Sequence, residues 1–189
     1  MKHRYLIGLN LGKVDPSVTL FKDTKVMFHI EEERFTRTKK GIGQDPINAL
    51  KYCLTQIPNG IADVEAINLG FDHDMFNLEV PSYYIEEWQL YPKKPQEAGN
   101  YELNRLKEKN SENIVYRIQG ILEKIGVDRK YCPKINWYNH HYCHALSAHL
   151  SSPYESSLSI VVDANVTVTS NTTPVNPLHF IVAMLCLLC

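Results

Sequence analysis

Arg4-Tyr-Leu-Ile-Gly-Leu-Asn-Leu-Gly-Lys-Val-Asp-Pro-Ser-Val-Thr-Leu-Phe-Lys-Asp-Thr-Lys-Val-Met-Phe-His-Ile-Glu-Glu32 is the stretch that sets the fold of this chain. Arg4 to Leu11 reads as a buried strand and Ser17 to Lys22 as a second. Asp23-Thr24 makes a tight turn, and Lys25 to Glu32 is a third strand with Val26, Phe28 and Ile30 on its inner side. Strands joined by links this short pair as an antiparallel meander.

Downstream the period changes. Asp45 suits a helix N-cap, Pro46 the first helical position, and Ile47, Leu50, Leu54 and Ile57 one apolar face, until Pro58-Asn59-Gly60 ends the helix. Glu65 to Gly70 is a strand. Residues 71–109 lose periodicity and scatter Phe71, Tyr83, Tyr84, Trp88 and Tyr91 among prolines and charges. They read as an insertion, either a lid or interface or an irregular surface excursion pinned by aromatics. Ser111 to Ile125 is a helix with Ile114, Ile118, Ile121, Leu122 and Ile125 on one face and Gly126 as its stop. Lys134 to Tyr138 is a strand, His140 to Leu150 a helix, and Ser157 to Asp163 a strand. The order βββ-α-β-(insert)-α-β-α-β predicts an α/β fold whose mixed sheet has a hairpin edge on an otherwise parallel body.

The 189 residues are 44% apolar with a formal net charge of -1, the composition of a globular domain able to bury a core. That balance offers no electrostatic footprint for nucleic acid. Five scattered cysteines make no disulfide framework, and the N-terminus carries no signal peptide, so a cytoplasmic location is expected. The last ten residues, from Phe180 to Cys189, are wholly apolar. They are too short for a bilayer that needs about 20, so no membrane span is expected. They suit a buried strand, a truncated product or a shifted frame.

Four of the eight histidines fall between Asn139 and His149. His140 and His144 are four apart on a helix and rise from one face, a spacing at which two imidazoles can grip one divalent ion. Asp163 ends a strand, where a buried carboxylate needs a partner or a metal. Two imidazoles and one carboxylate suit Fe(II), Zn(II) or Mn(II). The same pair also occurs in helices with no metal. His141 could face a substrate as acid, base or donor, while His149 belongs on another face. Two weaker candidates precede them. The turn holding Gly12 and Asp15 could bring backbone N–H groups to a phosphate, or be an ordinary hairpin link. In Glu31-Glu-Glu-Arg-Phe-Thr-Arg-Thr-Lys-Lys40, Arg34 and Arg37 could clamp an anion, although such runs are usually solvated faces.

Three stretches together resemble the carbamoyltransferases, a family that includes nodulation protein U and antibiotic-tailoring O-carbamoyltransferases. They are Gly8-Leu-Asn-Leu-Gly12 with Asp15 and Ser17, then Glu31-Glu-Glu-Arg-Phe-Thr-Arg37 with Lys39, then Asn139-His-His-Tyr-Cys-His144-Ala. The resemblance runs from about Tyr5 to Asp163, with Val14 where the family usually has a histidine. It implies a lobe of the actin, sugar-kinase and heat-shock-ATPase type. It also implies a YrdC-like domain elsewhere that joins carbamoyl phosphate to ATP, giving carbamoyl adenylate and pyrophosphate. The actin-like domain then passes the carbamoyl group to an acceptor hydroxyl. An iron-type divalent metal held by His140, His144 and Asp163 is implied, with His141 near the reacting carbonyl.

After Asp163 the family continues with glycine and an acidic residue, whereas here Ala164 and Asn165 follow. Residues 1–164 are therefore expected to be a first lobe, and 165–189 an atypical tail, truncated or frame-shifted. The first reading is the N-terminal fragment of an ATP-dependent O-carbamoyltransferase, incomplete on its own. The second is a non-catalytic metal- or partner-binding module. A His/Asp hydrolase is the least supported, for want of a general base. The partner expected is a small hydroxyl-bearing acceptor, with a homodimer left open.

Overall fold

Strands β1 (Tyr5–Asn10), β2 (Ser17–Lys22) and β3 (Lys25–Glu31) form the antiparallel meander. They belong to a computed structural model that describes residues 3–12, 14–72, 74, 110–154, 157–163 and 180–186. Residues 157–160, 162–163 and 180–186 are described by backbone alone. β1 also pairs in parallel with β4 (Val64–Leu69), and β4 with β5 (Lys134–Trp137). The five-stranded sheet thus runs β3-β2-β1-β4-β5, a hairpin edge on a parallel body as its sequence predicts. Four helices are described: α1 (Glu33–Thr36), α2 (Ile47–Thr55), α3 (Ser111–Lys124) and α4 (His140–Leu150).

Two compact units divide the chain, one of residues 1–70 with 109–137 and one of 71–108 with 138–189. The first holds the five-stranded sheet with α1, α2 and α3. The second holds α4 and a two-stranded parallel sheet of β6 (Ser157–Asp163) and β7 (Phe180–Cys186). The sixth strand is therefore outside the main sheet. Most of the insertion, and the boundary expected at residue 164, lie outside the described residues.

Within the first unit, inward residues alternate along the strands. Ile7, Leu9, Val18, Leu20, Ile67 and Leu69 are buried against Ala49, Leu50 and Cys53 of α2 and Ile114, Ile118, Ile121 and Leu122 of α3. Each fully buried Ile or Leu contributes about 1.5–3 kcal/mol. Asn110 caps α3, accepting from Asn113 N at 2.8 Å. At its far end Val127 N donates to Leu122 O and Gly126 N to Glu123 O. Gly126 has φ +87°, so this is a Schellman stop that needs glycine.

Two expectations are corrected. Val26 does not face the core: Phe28 lies opposite Leu20 but Val26 opposite Phe21, so Met27 is an extra residue. That bulge turns Val26 outward, 60% exposed, while Phe28 and Ile30 pack inward. Nor does Asp45 cap α2. Pro46 occupies the N-cap position with no side-chain bond to give, and Asp45 pairs with Arg117 instead. The open end of α2 is closed by Glu32, from the charge run expected to be solvated. Its Oε1 accepts from Asn48 N at 3.1 Å and Asn48 Nδ2 at 2.6 Å, and its Oε2 from Ala49 N at 2.9 Å. Glu32 is 1% exposed.

A buried carboxylate at a helix N-terminus is tolerable because N–H donors and the helix dipole replace its water. Glu32→Ala should therefore cost about 2–4 kcal/mol, and Glu32→Gln, which keeps one acceptor oxygen, about half as much. Urea unfolding measures both. An unchanged midpoint in Glu32→Ala would remove Glu32 from this role.

Candidate functional site

The histidine helix α4 begins where Asn139 caps it, its side chain accepting from Tyr142 N at 2.9 Å. Serines close the other end. Ser147 Oγ donates to His144 O, Ser151 Oγ to Ser147 O, and Ser152 Oγ to His149 O, second bonds to carbonyls of the last turns. His141, Ala145 and His149 are buried, at steps of four along one face. His140 and His144 occupy the neighbouring, more open face.

That second pair converges. The two Nε2 atoms are 3.1 Å apart and the rings meet edge-on with centroids at 4.4 Å. The His140 ring also lies against Phe71, at 5.3 Å. Two imidazole nitrogens bound to one ion at ~2.0–2.1 Å would sit ~2.9–3.4 Å apart for bond angles between 90° and tetrahedral. The observed spacing falls in that window, so the pair fits two corners of a coordination sphere. Without an ion the same geometry is a hydrogen bond, one Nε2 protonated and the other accepting. Asp163 is the last residue of β6, its backbone opposite Cys186, and β6 packs along α4. The Asp163 side chain is outside the described residues, and among those described no group of three potential ligands is assembled.

The weaker candidates belong to the first unit, and the structure separates them. Gly12 N donates to Asn10 Oδ1 at 2.9 Å, and a Cβ at Gly12 would meet that oxygen at 3.0 Å and Val14 O at 3.2 Å. Asp15 is exposed and left-handed, with φ +53°. Its N–H donates to Lys40 O at 2.8 Å, which joins the Gly12 turn to the charge run. Arg34 is committed to Glu31 at 3.3 Å and Glu33 at 3.6 Å. Arg37, exposed and left-handed at the end of α1, forms no ion pair among the described residues. Of the two arginines, Arg37 is the one with charge to offer.

A family model described as Carbamoyltransferase N-terminus matches residues 6–173. The chain belongs to that family. The match spans the sheet, all four helices and β6, and so includes every candidate residue above. In this carbamoyltransferase chain the five-stranded sheet and its helices are consistent with an actin-like lobe. No helix among the described residues is long and apolar enough to cross a membrane.

Sequence reasoning missed Glu32. The available signal was a helix opening on Pro46, which has no capping side chain and so requires an acceptor from elsewhere. Burial pushes the Cys143 thiol up and the Cys53 thiol up to about 12. For Cys53, folded above its ordinary ~8.5, the stability gained by keeping the thiol neutral is full below pH ~8.5 and is lost as pH rises towards its folded value. At pH 8 iodoacetamide should leave native Cys53 unmodified and label it at once in urea, as peptide mass mapping would report. Rapid native labelling would contradict the burial.

Proposed function

We propose that this chain is the N-terminal part of an ATP-dependent O-carbamoyltransferase, with His140, His144 and Asp163 holding a divalent ion of the iron type. The observation that carries the reading is the 3.1 Å convergence of the His140 and His144 Nε2 atoms on α4, in a chain of this family. When bound, such an ion supplies Lewis-acid polarisation of the carbamoyl carbonyl. Both imidazoles must then present unprotonated Nε2 lone pairs, which places their protons on Nδ1. Asp163 brings the negative charge that two neutral imidazoles lack.

In the proposed reaction the acceptor hydroxyl oxygen bonds to the carbamoyl carbon of carbamoyl adenylate. The bond from that carbon to the phosphate oxygen breaks, and AMP leaves. The hydroxyl proton passes to a base, for which His141 is the candidate; at 4% exposure it would receive the proton away from bulk water. AMP is a good leaving group, so position and charge stabilisation matter more than base strength. Within the first unit, Arg37 is the residue proposed for an anionic contact, through its exposed guanidinium.

Titration of the full-length protein with Mn(II), Zn(II) and, anaerobically, Fe(II) tests the centre. One equivalent should bind. His140→Ala and His144→Ala should each weaken binding beyond the ~10–100-fold that outer-shell changes cause. His149→Ala should leave it unaltered. Carbamoyl phosphate- and ATP-dependent transfer to a hydroxyl acceptor should fall in step with metal occupancy. Wild-type metal binding that survives in the His140→Ala, His144→Ala double variant would sink the assignment.

A further inference from the structure

His140 is the first residue of α4. A side chain inside a helix leans back over the turn before it, and that turn limits its rotamers. His144 has such a turn beneath it, the one that carries His140 and His141. His140 has none, because Asn139 caps the helix and strand β5 ends at Trp137. Its rotamer is therefore set by neighbours other than a preceding turn. Between centroids, its ring meets His144 at 4.4 Å, Phe71 at 5.3 Å and His141 at 5.6 Å. His141 and His144 belong to α4 itself, whereas Phe71 comes from the chain two residues past the end of β4. The Phe71 ring is half-buried and tilted by 51° to that of His140. It carries no polar atom, so it can neither bind an ion nor hydrogen-bond to a ligand of one. What it can give is a wall.

We infer that Phe71 is a positioning residue for the metal centre: its ring holds the His140 imidazole in the rotamer that meets His144, before any ion is bound. The inference rests on the reading of His140 and His144 as ligands. Fixing a free side chain at the moment of binding costs affinity, and a ligand already in place avoids that cost. The need is unequal within the pair. His144 stands a full turn inside α4, while His140 stands at its end. An apolar wall suits a coordinating imidazole in a second way. It keeps water from one flank, and so strengthens the attraction between ion and ligand.

The test is Co(II) affinity of the full-length protein, measured by calorimetry for wild type, Phe71→Ala, Phe71→Leu, Phe71→Tyr and Tyr154→Ala. Phe71→Ala should weaken Co(II) roughly tenfold, the lower end of what losing an orienting contact to a ligand costs. Phe71→Tyr keeps the ring and should bind as wild type. Phe71→Leu keeps most of the apolar volume without the flat face, and should stay near Phe71→Ala. Tyr154 is 68% exposed in the same unit, so Tyr154→Ala controls for losing an aromatic side chain and should bind as wild type. If Phe71→Ala does not fold, the Leu and Tyr variants decide between ring and volume by themselves. Wild-type affinity in Phe71→Ala would overturn the positioning role while leaving the ligand pair intact. Wild-type affinity in Phe71→Leu would overturn it too, since packing alone would then suffice. A wild type that binds no Co(II) would overturn the reading of the histidines, and this inference with it.

Discussion

The first unit depends on one buried carboxylate. Glu32 stands where the hairpin ends, and its two oxygens accept three bonds from the first turn of α2 while its N–H donates to Pro16 O. Taking a carboxylate out of water is expensive unless charge-assisted hydrogen bonds replace the lost hydration. Here the donors are groups that an open helix end would otherwise leave unsatisfied, so one contact offsets two penalties. It also joins three segments separated in sequence: the end of the meander, the link between β1 and β2, and α2. Because α2 supplies Ala49, Leu50 and Cys53 to the core, the carboxylate fixes which face of that helix meets the sheet.

What could be read in advance follows from this. The meander, α3 and α4 declare themselves locally, by alternation, by an Ile stripe with a glycine stop, and by a histidine pair at helical spacing. The errors fall where a remote contact overrides a local rule. Asp45 satisfies every local criterion for an N-cap, but Arg117 takes its carboxylate and Glu32 does the capping. Val26 satisfies the alternation of an inward strand, but a bulge at Met27 shifts the parity. The pairing of β6 with β7 has no local signal, since strand partners far apart in sequence are chosen by tertiary packing.

The site divides along the same line. The four-residue spacing of His140 and His144 gave their common face, but only the side-chain positions show that their nitrogens meet. Burial of His141 and His149 on the adjoining face follows from their own four-step relation through Ala145. Arg34 and Arg37 are indistinguishable in a charge run. In the folded chain one is neutralised by Glu31 and Glu33, and the other closes α1 in a left-handed conformation with its charge in solvent.

The proposed ligand set on α4 and β6 has a charge consequence. Two neutral imidazoles and one carboxylate around a divalent ion leave a net charge of +1, and three protein ligands leave positions open. Such a centre favours an oxygen donor with negative character, and carbamoyl adenylate carries both a carbonyl and a phosphate.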